Sequence, residues 1–203
     1  MKKKKLLKKI TFGILGISLA VLSSACGNNT GKTSDVINQN NQVDKSEKGD
    51  AEFTTVNLGD TVTTDFISMS LDSVKTAAPN LESPKGNGYL NGEDGKTFFY
   101  ISGNAKNLNS DRYDLTDMYV VFTFDDKYNY IGAITPWKER LNVNDVDPLE
   151  TVEYNMYVDV PSEVIDSYSK CTVKFAFHKN LEHDALADDF NDYEYCYQVN
   201  LDK

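Results

Sequence analysis

Residues Val152 to Val160 read VEYNMYVDV. Val152, Tyr154, Met156, Val158 and Val160 alternate with Glu153, Asn155, Tyr157 and Asp159, the period of two that sends successive side chains to opposite faces of a strand. The signal repeats downstream. Cys171, Val173, Phe175 and Phe177 alternate with Thr172, Lys174, Ala176 and His178, and Tyr193, Tyr195, Tyr197, Val199 and Leu201 alternate with Glu194, Cys196, Gln198 and Asn200. Each stretch predicts a strand with one buried face. Upstream, the apolar patterns predict strands over 66–75, 97–107, 118–124 and 130–135, with a shorter one near 61–64. Turn signals separate them: Asn57-Leu58-Gly59-Asp60, the stretch SPKGNGYLNGEDG from Ser83 to Gly95, residues 107–111, and Asp125-Asp126-Lys127. Only Pro161 to Tyr168 suggests helix, with Pro161 placed to start a turn and Val164, Ile165 and Tyr168 able to face inward. Seven or eight short strands with one short helical turn predict an all-β, antiparallel β-sandwich.

The N-terminus has another logic. MKKKKLLKKI holds six lysines and no acid, and an uncharged stretch follows from Ile10 to Ala25, the order of a secretion signal. Sixteen residues make about 24 Å of helix, short of the roughly 30 Å needed to span a bilayer. Small residues then lead to a cysteine in Val21-Leu22-Ser23-Ser24-Ala25-Cys26-Gly27. This resembles the lipobox of bacterial lipoproteins, whose cysteine is lipidated and becomes residue one. The stretch departs from that pattern in having Ser23 where a large aliphatic residue is usual. The other reading is an ordinary signal that leaves Cys26 as a free thiol. With residues 1–25 as a lipoprotein signal peptide, 26–52 is a lipidated cysteine followed by a disordered polar tether, since only Val36, Ile37 and Val43 between Gly27 and Glu52 are sizeable apolar residues. Residues 53–203 are the sandwich domain, about the usual length of one domain.

Three stretches of that domain, LGDTVTTDFISMSLDSV from Leu58 to Val74, KTFFYISGNAKNLNSD from Lys96 to Asp111, and DPLETVEYNMYVDVP from Asp147 to Pro161, resemble the telokin-like, immunoglobulin-type domain of unknown function found in exported lipoproteins of Gram-positive bacteria. The resemblance implies an immunoglobulin-like two-sheet sandwich and an extracytoplasmic setting on the cell membrane, and it brings no catalytic residues. In one respect the chain departs from antibody domains, because Trp137 precedes both Cys171 and Cys196 instead of lying between them.

Charge narrows the partners. Six of the 21 basic residues lie in the signal and all 31 acids lie after it, so removing the signal leaves 15 bases against 31 acids, net −16. Such a surface repels phosphate backbones, which argues against nucleic acid.

Candidate chemistry is sparse. Cys171 and Cys196 are the cysteines beyond Cys26, and an exported chain can form disulfides. Cys171 alternates with the buried face and Cys196 with the exposed one, which opposes a bond unless a β-bulge reverses one of them. Glu182, Asp184, Asp188, Asp189, Asp192 and Glu194 crowd EHDALADDFNDYE. Calcium favours such oxygens, but the EF-hand spacing and glycine are absent, and a solvated charged loop is the plainer reading, so no metal site is assigned. The histidines are His178 and His183; there is no G-x-S-x-G, phosphate loop or zinc spacing, so neither catalytic residues nor a cofactor are expected and the chain reads as a non-enzyme. Tyr89, Tyr113, Tyr128, Tyr130 and Trp137 lie in or beside turns, where rings either cap the sandwich or meet a ligand. The stretch KYNYIGAITPW, Lys127 to Trp137, is the candidate contact surface. Function then reads as a lipid-anchored binding or interaction module of the envelope, its partner an envelope protein or a cell-wall glycan. The alternative is a carbohydrate-binding module using Trp137, Tyr128 and Tyr130.

Overall fold

The eleven residues Thr151–Pro161 form one strand that buries Val152, Tyr154, Met156, Val158 and Val160. Along its whole length it pairs antiparallel with Lys96–Asn107, and Tyr154 faces Gly103. The computed structural model describes residues 50–84, 86, 88–138, 144–178 and 189–203. The signal stretch, Cys26, the polar tether and the acidic stretch as far as Asp188 lie outside the described residues.

In chain order the strands are β1 (Thr54–Val56), β2 (Thr61–Thr63), β3 (Ile67–Ser70), β4 (Ser73–Ala77), β5 (Asn80–Glu82), β6 (Tyr89–Asn91), β7 (Lys96–Asn107), β8 (Tyr113–Asp114), β9 (Tyr119–Phe124), β10 (Tyr128–Ile131), β11 (Ala133–Trp137), β12 (Asp145–Val146), β13 (Thr151–Pro161), β14 (Lys170–Phe177) and β15 (Tyr195–Asp202). A front sheet runs β1-β15-β14-β9-β10, and a back sheet runs β11-β13-β7-β3-β2 with β4 also on β7. Two ribbons, β8 with β12 and β5 with β6, stand apart from these sheets. The one α-helix among the described residues, α1 (Ser162–Ser167), follows Pro161, and Val164, Ile165 and Tyr168 pack on the core as the pattern predicts. No helix among the described residues is long and apolar enough to cross a membrane.

One apolar core lies between the two large sheets. Val120, Phe122 and Phe124 of β9, Val173, Phe175 and Phe177 of β14, and Val199 and Leu201 of β15 meet Phe99, Ile101 and Ala105 of β7 and the inward row of β13. Phe99 bridges the layers, its ring edge-on to Phe122 at 6.1 Å and to Phe124 at 5.3 Å. Each such side chain contributes about 1.5–3 kcal/mol by leaving water.

The described residues hold fifteen strands against the seven or eight expected: two predicted strands are broken by geometry, and β1, β5, β6, β8 and β12 lie where none was read. The 66–75 stretch splits into β3 and β4. Between them the backbone steps over Gly103, where a Cβ would land on the Ser70 carbonyl, 2.8 Å from its carbon. That carbonyl oxygen accepts from Tyr154 Oη at 2.8 Å. The 130–135 stretch splits at Gly132, where the chain leaves the front sheet as β10 and enters the back sheet as β11. A Cβ at Gly132 would lie 2.6 Å from Phe122 Cε2 and 2.7 Å from the Tyr157 carbonyl oxygen, so only glycine can turn this corner. Pro136 is tolerated because β11 is an edge strand. The turn-rich stretch from Ser83 to Gly95 also holds a strand, β6. One pairing departs from the antiparallel expectation: β1 runs parallel to β15.

The outer face of the back sheet is packed too. Trp137, Leu81 and Phe98 form a second buried cluster there, with Leu90, Tyr100 and Tyr157 against it. With the Asn155 amide oriented so that its oxygen faces the indole, Trp137 Nε1 donates to that oxygen at 3.0 Å and the amide nitrogen donates to the Tyr154 carbonyl at 3.0 Å.

Candidate binding groove

β9 sends Val120, Phe122 and Phe124 into the core, so Tyr119, Val121 and Thr123 project from the outer face of the front sheet. Register then decides their neighbours. On one side Asn129 and Ile131 of β10 stand opposite Thr123 and Val121. On the other, Lys174 of β14 is paired with Val121 of β9 and with Gln198 of β15. The alternation that buries Val173 and Phe175 is what turns Lys174 outward.

Beyond this open strip the chain returns at Asp189. The Asp189 carboxylate accepts from Asn191 N at 2.9 Å and caps a 3₁₀ turn, Phe190–Asp192. That turn sets Phe190 against Tyr119 at 4.6 Å and against Phe53 at 5.0 Å, while Tyr193 stacks on Tyr119 at 6.0 Å and on His178 at 4.8 Å. The Cys196 thiol faces the same segment, 3.5 Å from the Phe190 carbonyl oxygen. Between this aromatic wall and β10 lies a cavity of about 360 Å³ floored by Val121, Thr123 and Lys174.

Its polar groups are few and specific. Thr123 Oγ1 donates to Asn129 Oδ1 at 2.8 Å, which leaves both amide N–H groups of Asn129 without a partner among the described residues. Lys174 Nζ sits 4.4 Å over the Phe53 ring and has no carboxylate partner among the described residues. Among the described residues no Asp or Glu lines the cavity, although the whole chain carries a net charge of −10. Ile131, 70 % exposed, stands on the rim.

The candidate contact stretch is thus divided. Tyr130 lines the groove, and Tyr128 lies beside it, half-exposed with Lys127 Nζ 4.6 Å over its ring. Trp137 does not join them: it is 5 % exposed and buried on the back sheet, so its assignment as a contact residue is corrected. The corner at Gly132 carries it to the other side of the sandwich. Tyr113 is also buried, its hydroxyl donating to the His178 carbonyl oxygen at 3.1 Å.

The possible disulfide is likewise corrected. Cys171 faces Leu201 and Cys196 faces Ala176 across the β14–β15 pairing, five positions or roughly 17 Å apart and on opposite faces. Both are free thiols. Burial pushes the Cys171 thiol up to about 12, so it packs as an unreactive apolar group. Within the acidic stretch, Asp189 acts as a helix cap, and no group of three metal-ligating side chains occurs among the described residues.

Phe53, Phe190 and Lys174 were not singled out by sequence, and Asn129 lay unnamed within the candidate stretch from Lys127 to Trp137. A signal existed for one of them, since Phe190 is the lone aromatic within LEHDALADDFND.

Comparison with known proteins bears on the fold. No family model matches the chain, and no curated protein matches it. Among solved structures, an uncharacterised β-sandwich protein from Clostridium difficile superposes with a TM-score of 0.57 at 18 % identity, over 75 % of this chain and 98 % of that one. The yjhA protein from Bacillus subtilis (TM-score 0.41, 14 % identity, 72 % of this chain and 99 % of that one) and a candidate lipoprotein from the same organism (TM-score 0.38, 12 % identity, 70 % and 38 %) are more distant, and likeness at that level extends to neither function nor location. The chain shares an all-β sandwich with the Clostridium difficile protein.

Proposed function

We propose that this chain is a non-enzymatic binding module of the bacterial cell envelope, held on the extracytoplasmic face of the membrane by lipid on Cys26 and taking its ligand in the groove of the front sheet. The groove carries this reading. Apolar and aromatic side chains surround one ammonium with no carboxylate partner among the described residues and one half-engaged amide, the composition of a recognition site. Among the described residues the lining holds no histidine, cysteine or carboxylate, hence no nucleophile with a base beside it, which supports binding over turnover. The floor is hydrogen-bonded sheet, so little ordering is required when a ligand arrives. The lysine-rich start, the uncharged stretch and the polar residues after Cys26 support an anchored chain on a tether, and the acidic balance speaks against nucleic acid.

Two measurements test it. In a Gram-positive host, wild type is expected in the membrane fraction with an acylated Cys26, and Cys26→Ala in the soluble fraction; equal release of both removes the anchor. The full chain is expected to sediment with membrane-stripped envelopes, and Ile131→Asp, which places a charge on an exposed rim position, is expected to abolish this. Sedimentation unaffected by Ile131→Asp would move the binding surface off the groove.

A further inference from the structure

The groove's polar chemistry is one-sided, and this specifies its ligand more closely. Thr123 Oγ1 is engaged with the Asn129 carbonyl, so Asn129 turns its NH₂ outward from that bond. Lys174 adds an ammonium with no carboxylate partner among the described residues, and no acid among them lines the cavity. These groups carry donors and no competing anion. They stand on the strands either side of β9, Asn129 opposite Thr123 and Lys174 opposite Val121, roughly 12 Å apart on the diagonal, so one ligand lying over Val121 and Thr123 can reach both side chains. In a chain with ten more acids than bases, a patch of donors with no acid among its described lining residues selects for an anion. The cavity, about 360 Å³, is at the small end of ligand clefts, roughly 300–1,000 Å³, and Phe190 closes one side. A single ring or terminal unit fits this better than an extended acidic peptide. Tyr119 and Phe190 supply the flat apolar surface that a ring's C–H face packs on.

We infer that the groove takes an anionic saccharide, a sugar unit bearing carboxylate or phosphate whose acceptor oxygens meet Lys174 Nζ and Asn129 Nδ2 while its ring lies against Tyr119 and Phe190. This rests on the groove being the binding site. The test titrates the full chain in detergent with a glucuronic-acid oligomer, a hexose phosphate, a neutral cello-oligosaccharide and hexaglutamate. One of the two anionic sugars is expected to bind and the neutral sugar and the peptide to fail, and which anion wins identifies carboxylate or phosphate. Lys174→Gln is expected to weaken binding at least tenfold, as is Asn129→Asp, which replaces donors by a like charge. Lys75→Gln, on the other sheet, is expected to change nothing, and thermal melts of the three variants check folding. Neutral sugar or hexaglutamate binding as tightly, indifference to Lys174→Gln, or no binding by any probe overturns the inference. Envelope sedimentation that still depends on Ile131 in that last case leaves the binding module standing and rejects only the anionic sugar.

Discussion

Replacing Gly103 by alanine should unfold this sandwich at markedly lower temperature, although alanine in a strand ordinarily helps. Glycine in a strand interior costs about 0.5–1 kcal/mol relative to alanine through unfolded-state entropy, so a Cβ with room to sit would stabilise. Here the added carbon would fall on the Ser70 carbonyl, 2.8 Å from its carbon, and 3.2 Å from Tyr154 Cε1. The β3–β4 step has to retreat. Overpacking of this kind costs about 1–3 kcal/mol. The retreat also pulls the Ser70 carbonyl away from Tyr154 Oη, now at 2.8 Å, and the Ser70 hydroxyl from Asn104 N, now at 3.0 Å. A buried hydroxyl left without its partner costs about 1–3 kcal/mol more. The sum is about 2–6 kcal/mol, or roughly 4–24 °C at the 2–4 °C per kcal/mol typical of this size. Tyr154→Phe removes only the hydrogen bond and should cost about 1–2 kcal/mol. Urea denaturation followed by circular dichroism measures both, with the slope unchanged for each. A Gly103→Ala chain as stable as wild type, or more so, would refute the close approach.

Three further expectations follow from the same geometry. The Asp125 carboxylate accepts from Ser169 N at 2.9 Å and Lys170 N at 3.1 Å, and these backbone donors hold its pKa below the usual carboxylate value. Its stabilisation is therefore complete above the unfolded-state value, about 3.9, and lost as pH falls through the lower folded value; Asp125→Asn should remove that part of the acid limb, and identical acid titrations of the two chains would contradict it. In a Cys26→Ala chain, Cys171 should resist thiol reagents at pH 8 until urea exposes it, and two thiols should then titrate without reductant; recovery of none would mean a bond the register forbids. Trp137 emission should be blue-shifted, shielded from acrylamide and indifferent to any groove ligand, and quenching by a ligand that needs Lys174 would show that the tryptophan is not on the far sheet.

Strict alternation was legible wherever a strand has one face in the core and the other in water, as in β13 and β14. It failed where tertiary contacts override local pattern. Nothing in the residues 66–75 announces that the backbone must step over Gly103, and nothing in GAITPW shows the chain changing sheets at Gly132, because the atoms that demand glycine there belong to Phe122, ten residues back, and Tyr157, twenty-five residues on. The same corner explains why Trp137, read beside Tyr130, lies on the other side of the sandwich. One side of the groove, Asn129, Tyr130 and Ile131, was visible in the stretch from Lys127 to Ile131. The rest was hidden because Lys174 and Phe190 reach it only through strand register and a 3₁₀ turn.

The first ring of the described domain, Phe53, has a mechanical meaning. Any load on the chain ahead of Asp50 enters through Phe53 and the three-residue edge strand β1, held parallel to β15 by a short register. Phe53 is also what Phe190 leans on and what Lys174 covers. Tension at the start of the domain and occupancy of the groove therefore act on the same contacts: a pull that peels β1 strips the aromatic wall first, and a bound ligand that steadies Phe190 and Lys174 resists that peel.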